Sequence, residues 1–267
     1  KIMVMNSDSN KPIVVGAGPT GSGKSTLALD LAGAFQGAIV NADSQQVYRE
    51  LRVVTARPTP DEEAQVPHRL FGCLAAAERC SAGRWLTLAQ GAIGEIRRAG
   101  LLPIVAGGTG LYLKALIEGI ADVPPIAPQA VAAAQARLDA IGGPAFLAEL
   151  AALDPAAAAR IRPADRQRLI RAMSVVQATG VPLSEWQARA NARKADSPPV
   201  GRFLVLALRP ARAELGVVLD RRFAAMLDAG ALDEVRALGR LDLDPPLPAM
   251  KAFGLSMSPS TCWGRSR

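Results

Sequence analysis

Gly18-Pro19-Thr20-Gly21-Ser22-Gly23-Lys24-Ser25 matches G-x-x-x-x-G-K-[ST], a pattern whose chemistry is the cradling of phosphate oxygens. Its glycines let backbone N–H groups curl around an anion, Lys24 reaches an outer phosphate, and Ser25 offers a hydroxyl to Mg2+. The motif names no substrate, because ATP chemistry uses the same loop, and a glycine-rich turn capping a helix shares some of its letters. Asn41-Ala42-Asp43-Ser44-Gln45-Gln46-Val47-Tyr48-Arg49 places a carboxylate, Asp43, where it would serve as a proton acceptor or metal ligand; a helix N-cap at Asp43 or Ser44 is the competing reading. Gly107-Gly108-Thr109-Gly110 joins glycines that permit close backbone approach to a hydroxyl suited to a phosphate oxygen. A tight strand-to-helix turn would produce much the same letters, so its weight comes from occurring with the other two segments.

Each segment follows a short apolar run that reads as a strand: 12–18, 37–42 and 102–106. Residues 26–35 carry helical periodicity directly after the first loop. In open parallel α/β sheets the ligand crevice lies beyond the carboxyl ends of the strands, so the three loops are expected to meet in space. The expected fold is α/β, a P-loop NTPase-like parallel sheet flanked by helices and carrying a mainly helical insertion. The proline-rich break at 122–128 and Ser197-Pro198-Pro199 bound that insertion, which gives a core over 1–123, an insertion over 124–197, a second part of the core over 198–254 and an atypical tail over 255–267. Ala-rich composition predicts helix to about Arg160, residues 203–208 return as a strand, and 214–238 read as one long amphipathic helix with basic residues on one side.

With 267 residues, 49% hydrophobic and 21% charged, the chain can bury a full core. No apolar run approaches the length of a membrane span, and Lys1 to Lys11 is short and polar, so neither a bilayer nor a secretory signal is expected and a cytoplasmic enzyme is the default. Cys73, Cys80 and Cys262 lie too far apart for a zinc pattern and read as reduced thiols. Lys plus Arg exceed Asp plus Glu by 31 to 24, which points to an anionic partner only where the charges cluster. Arg168 and Arg171, three apart on a predicted helix, share one face that suits phosphate contacts or a plain solvated surface. His68, the single histidine, cannot make a metal cluster or a triad, and Trp85 and Trp186 read as packing residues.

The phosphate loop, the Asn41–Arg49 string, Thr55-Ala56-Arg57-Pro58, Val66-Pro67-His68 and Gly107-Gly108-Thr109-Gly110-Leu111-Tyr112-Leu113 occur together and in order. Asp165-Arg166-Gln167-Arg168-Leu169-Ile170-Arg171-Ala172, Thr179-Gly180 with Pro182-Leu183-Ser184 and Trp186, and Arg222-Phe223 with Met226-Leu227 and Glu234-Val235 follow. This series resembles the tRNA dimethylallyltransferase family over about 12–254. The resemblance implies that residues 18–25 hold dimethylallyl diphosphate, that Thr109 and Arg222 also grip the diphosphate, and that Asp43 accepts a proton. It further implies that Asp43, Ser44, Gln45 and Gln46, together with Gln167, Arg168, Leu169, Ile170 and Arg171, touch the tRNA anticodon stem-loop. The acceptor would be the exocyclic amine of the adenosine 3′ of the anticodon, the cofactor Mg2+ on Ser25, and the working unit a monomer.

Two departures stand out. Leu255 to Arg267 has no amphipathic periodicity where the family continues into a basic helical stretch; a frameshifted or prematurely ended reading frame would account for it, and a gene with no family-like continuation in another frame would rule that out. Val218 stands where a basic residue is expected one turn before Arg222. An ATP-dependent small-molecule kinase, a prenyltransferase of free nucleotides and a tRNA-binding relic without catalysis remain the competing readings.

Overall fold

The computed structural model describes residues 11–196 and 201–254, so the tail at 255–267 and the boundary residues Ser197 to Pro199 lie outside the described residues. Two compact units are present, one formed by 11–117 with 201–254 and the other by 118–196.

The first unit is built on a sheet of five strands, β1 (Ile13–Ala17), β2 (Gly37–Asn41), β3 (His68–Arg69), β4 (Leu102–Gly107) and β5 (Phe203–Ala207), in the order β3-β2-β4-β1-β5. Every pairing is parallel. β1 and β2 are short apolar runs without polar alternation because helices cover both faces. On one face Val14, Ile39 and Ile104 pack with Ala28 and Ala32 of α1 (Lys24–Ala34), whose small side chains let the helix lie close. On the other, Ile13, Val15 and Val40 pack with Trp85, Ala89, Ala92, Ile93 and Ile96 of α3 (Ala82–Arg98). Those α3 positions recur at helical spacing, and Ser81 caps the helix by accepting a hydrogen bond from the Arg84 amide at 3.1 Å. α2 (Pro60–Gln65) starts from a capping box between Thr59 and Glu62, and α4 (Gly110–Glu118) follows β4.

The expected helix over 214–238 is two helices, α9 (Arg212–Asp228) and α10 (Ala231–Gly239). Gly230 adopts φ 91, a left-handed conformation open to glycine, and ends the run in its middle. The two-residue β3 has too short a signal for any periodicity to reveal.

The second unit is helical: α5 (Pro128–Leu153), α6 (Pro155–Ala158), α7 (Arg166–Thr179) and α8 (Leu183–Asp196). α5 kinks at Gly142, with φ 76, just before Pro144. Its core gathers Leu138, Phe146, Leu150, Leu169, Met173 and Val176. The fully buried Asp154 ties three segments: its carboxylate accepts from the Ala157 amide at 3.0 Å, the Ser184 amide at 3.0 Å and the Ser184 hydroxyl at 2.6 Å.

Candidate functional site

The three loops predicted to converge do so at the carboxyl ends of β1, β2 and β4. After β1 the chain turns through Gly21 and Gly23, both left-handed at φ 80 and 83, and Gly23 opens α1. Lys24 therefore heads the helix, and its ammonium donates back to the Gly18 and Pro19 carbonyls at 2.8 and 2.6 Å. Burial pushes that ammonium below its ordinary value of 10.5, Asp43 opposes the shift and Arg222 adds to it. The three charges thus share one neighbourhood.

After β2 the chain forms a turn rather than a helix, so the N-cap reading of Asp43 and Ser44 is replaced by an Asx turn. The Asn41 carboxamide accepts from the Asp43 amide at 2.8 Å, and Asp43 Oδ1 accepts from the Gln45 amide at 2.9 Å. β4 and β2 meet so closely at their ends that a side chain on Gly107 would lie 2.1 Å from the Ala42 carbonyl carbon, which explains the glycine. This close approach brings Thr109 across to the second loop: its amide donates to the Ala42 carbonyl at 3.1 Å, and its hydroxyl oxygen accepts from the Ser44 amide at 2.8 Å. That leaves the Thr109 O–H as a donor.

A cavity of about 330 Å³ lies at this convergence, lined by Thr20, Lys24, Ser25, Asp43, Gln46 and Arg222 among others. Its remaining wall includes the apolar groups of Ala28, Leu29, Ile39, Ala56 and Phe71. Arg222 reaches the site from α9, and its guanidinium donates to the Thr55 carbonyl at 3.3 Å. Burial works against the Arg222 charge and Asp43 supports it. Three buried polar atoms here lack a protein partner: the Ser22 hydroxyl oxygen and the Nε of Arg57 and of Arg222. Unpartnered donors beside half-buried cations suit an anionic ligand rich in oxygen.

Among the described residues no group of three or more His, Cys, Asp or Glu side chains gathers as a metal centre. Hard oxygen donors at the cavity include the Ser25 hydroxyl next to Lys24 in the chain and the Asp43 carboxylate, while the Glu62 carboxylate is engaged by the Thr59 amide in its capping box. So sparse a set fits an ion that keeps several waters and takes its other ligands from a bound phosphate, as Mg2+ does. No helix among the described residues is long and apolar enough to cross a membrane.

The other expected site residues divide. Gln46 lines the cavity and donates to the carbonyls of Thr55 and Ala56 at 2.8 and 3.0 Å. Gln45 instead donates to the Pro248 carbonyl at 3.3 Å. Val218, the non-basic position before Arg222, packs near the tip of the phosphate loop, 3.5 Å from where a Cβ on Gly21 would stand. In the helical unit Gln167, Arg168 and Arg171 are exposed, Ile170 is half-buried and Leu169 is fully buried among α5 and α7 side chains. Direct contact with a partner is therefore open to the first three, while Leu169 holds the helix that presents them. Trp85 is a support: fully buried, stacked on Tyr112, it donates to the Asn41 carbonyl at 2.9 Å under the second loop.

Ala56, Arg57, Pro58 and Thr59 form one wall of the cavity, a role that no residue pattern in 51–59 announces. Thr55-Ala56-Arg57-Pro58 was visible as a string, but nothing local said that its carbonyls hold Gln46 and Arg222.

A family model described as IPP transferase matches residues 46–259. A tRNA dimethylallyltransferase of Rhodospirillum centenum is 53% identical over 247 residues, covering 92% of this chain and 78% of that protein. Among solved structures, a eukaryotic dimethylallyltransferase acting on tRNA aligns with TM-score 0.70 at 28% identity, over 88% of this chain and 58% of that one. The full-length tRNA isopentenylpyrophosphate transferase of Bacillus halodurans aligns with TM-score 0.60 at 29% identity, over 91% of this chain and 74% of that one. The phosphate loop, the Asp43 turn and the Thr109 crossing are thus found in a chain that belongs to the IPP transferase family, whose members include the tRNA dimethylallyltransferases.

Proposed function

We propose that this chain transfers a dimethylallyl group from dimethylallyl diphosphate to the exocyclic amine of the adenosine 3′ of the anticodon in tRNA, giving isopentenyladenosine. The observation that carries the reading is the composition of the cavity: cationic and hydroxyl groups at the phosphate loop, a carboxylate opposite, and an apolar wall beside them. A prenyl diphosphate has that polarity, charged at one end and hydrocarbon at the other. Ala28, Leu29, Ile39 and Phe71 suit the hydrocarbon, and the loop with Lys24 and Arg222 suits the diphosphate.

In the reaction the adenine amine forms a C–N bond to C1 of the dimethylallyl group as the C1–O bond breaks and diphosphate leaves. Asp43 takes the amine proton; its Oδ1 is engaged by Gln45, which leaves Oδ2 for the substrate. Lys24, Arg222, the Thr109 hydroxyl and the loop amides stabilise charge growing on the departing diphosphate. Ser25 would hold Mg2+ together with diphosphate oxygens, and the bound ion would supply further counter-charge there. The target base must leave its stack to reach the cavity, which suits a single-stranded loop. The exposed Gln167, Arg168 and Arg171 would contact the anticodon stem-loop. The working unit would be a monomer acting in the cytoplasm.

The test is transfer of labelled dimethylallyl to unmodified tRNA, comparing the chain with Asp43→Ala. Label should reach tRNA, and the variant should lose about 10²–10⁴-fold in rate while staying folded. Absence of transfer by a folded chain, or an Asp43→Ala variant as fast as the parent, would overturn the reaction or the role of Asp43 respectively.

A further inference from the structure

Glu234 lies on α10, and its carboxylate collects three successive backbone amides from the segment that walls the cavity. Oε2 accepts from Arg52 at 2.8 Å and Val53 at 2.7 Å, and Oε1 accepts from Val54 at 3.0 Å, just before the wall residues Ala56 to Thr59. Three amides converging on one carboxylate form a charge-assisted anchor, stronger and more directional than neutral contacts. The next residue, Thr55, offers its carbonyl to Arg222, and Thr55 with Ala56 offers carbonyls to Gln46. Ala56 is held at φ 46, a left-handed conformation that a non-glycine residue keeps only where its surroundings impose it. Thr55 adds a bond from its hydroxyl to the Leu51 carbonyl at 2.5 Å, which stiffens the short path from anchor to carbonyl.

The circuit closes on itself. Arg222 is on α9, Glu234 is on α10, and the Gly230 break between the helices turns the chain so that both side chains meet the same segment. One end of the segment is pinned by Glu234, and the carbonyl beyond the pin sets the guanidinium of Arg222. We propose that Glu234 is a positioning residue for the transfer reaction: by fixing the amides of Arg52, Val53 and Val54 it sets the Thr55 carbonyl that orients Arg222 toward the diphosphate. This rests on the proposed function for its substrate, but its physical content is a coupling between Glu234 and Arg222 that diphosphate affinity alone can read.

The experiment is a double-mutant cycle on the full chain with Glu234→Gln, Arg222→Gln and the pair, reading the Kd for inorganic diphosphate with MgCl2 by calorimetry and kcat and KM for transfer. Glu234→Gln keeps the size and one acceptor but replaces the other oxygen with a donor facing an amide. It should weaken diphosphate binding about fivefold in the parent and less than about twofold once Arg222 is Gln, the non-additivity expected of residues acting through one contact. KM for dimethylallyl diphosphate should rise more than kcat falls. Glu234→Asp, which keeps the charge on a shorter arm, should recover part of the affinity, and it carries the same comparison if Glu234→Gln does not fold. A melting temperature that falls while Kd and KM stay unchanged would overturn the proposal. So would an effect of equal size in both backgrounds. If the parent binds diphosphate but transfers nothing, the proposed reaction fails while the affinity cycle still decides the role of Glu234; a parent that binds no diphosphate defeats both.

Discussion

The strand-end cavity and the helical unit handle charge in opposite ways. At the strand-end cavity the half-buried cations Lys24 and Arg222 are held by backbone carbonyls beside the Asp43 carboxylate, and Arg222 keeps a buried N–H without a partner. In the helical unit the cations lie at the surface, and several are paired: Arg137 with Glu149, Arg166 with Asp139, Arg168 with Asp165 and Arg189 with Glu185. The deeply buried charge there is an anion, Asp154, with its donors supplied. A buried cation short of partners is costly to the free protein and favours an anionic ligand, whereas a satisfied buried carboxylate holds architecture. Substitutions at the first should therefore cost function, and at the second, stability.

The largest effect should come from Lys24→Ala, which removes a cation proposed to stabilise the leaving diphosphate: transfer should fall about 10²–10³-fold, roughly 3–4 kcal/mol of transition-state stabilisation, in single-turnover assays. The melting temperature should hardly change, since the burial cost of the ammonium disappears with it. A large loss of stability at near-normal transfer would break the contrast.

Asp154→Ala should do the reverse, costing about 3 kcal/mol in urea unfolding of the helical unit because it strands buried donors. Acidity offers a finer test. Burial alone would raise the Asp154 carboxyl, but the hydrogen bonds from Ser184 and Ala157 outweigh it and hold the group below its ordinary 3.8. A depressed carboxyl contributes stability above its unfolded value, and that stability is lost as the pH falls below 3.8 through the folded value. Asp154→Asn should flatten this part of the acid-unfolding curve; an unchanged curve would show that other carboxyls set it.

Arg168→Gln with Arg171→Gln should leave folding intact, since both side chains are exposed. tRNA binding should weaken about three- to tenfold, and the slope of log affinity against log salt should drop by about one for each arginine that grips a phosphate. An unchanged slope would make these arginines plain surface. The smallest effect on transfer should come from Trp85→Phe, whose cost of about 2–3 kcal/mol falls on stability in urea unfolding, because Phe cannot donate to the Asn41 carbonyl and leaves part of the buried indole volume empty.

The contrast was only partly legible beforehand. Asp43, Lys24 and Thr109 could be placed together because each follows an apolar run, and parallel strands deliver their carboxyl ends to one edge. The inward face of Leu169 was readable in principle from the apolar positions around it, yet the string Gln167 to Arg171 hides it when taken as a unit. Gly230 inside the 214–238 pattern was a stop signal outweighed by the length of the periodicity. Asp154 and Ser184 stand 30 residues apart, and no spacing rule links them.

What the sequence determined by itself was the chemistry that depends on neighbours along the chain: glycines that permit left-handed turns, a lysine that heads a helix, apolar runs long enough to be strands. Those requirements are local, so residue order carries them. Tertiary structure alone decided that residues 56–59 wall the cavity, that the Thr55 carbonyl meets Arg222 across 167 positions, and that Glu234 meets three amides some 180 positions away. Such contacts arise because buried polar groups must find partners wherever packing brings them, a condition satisfied by the whole fold and written in no single stretch of it.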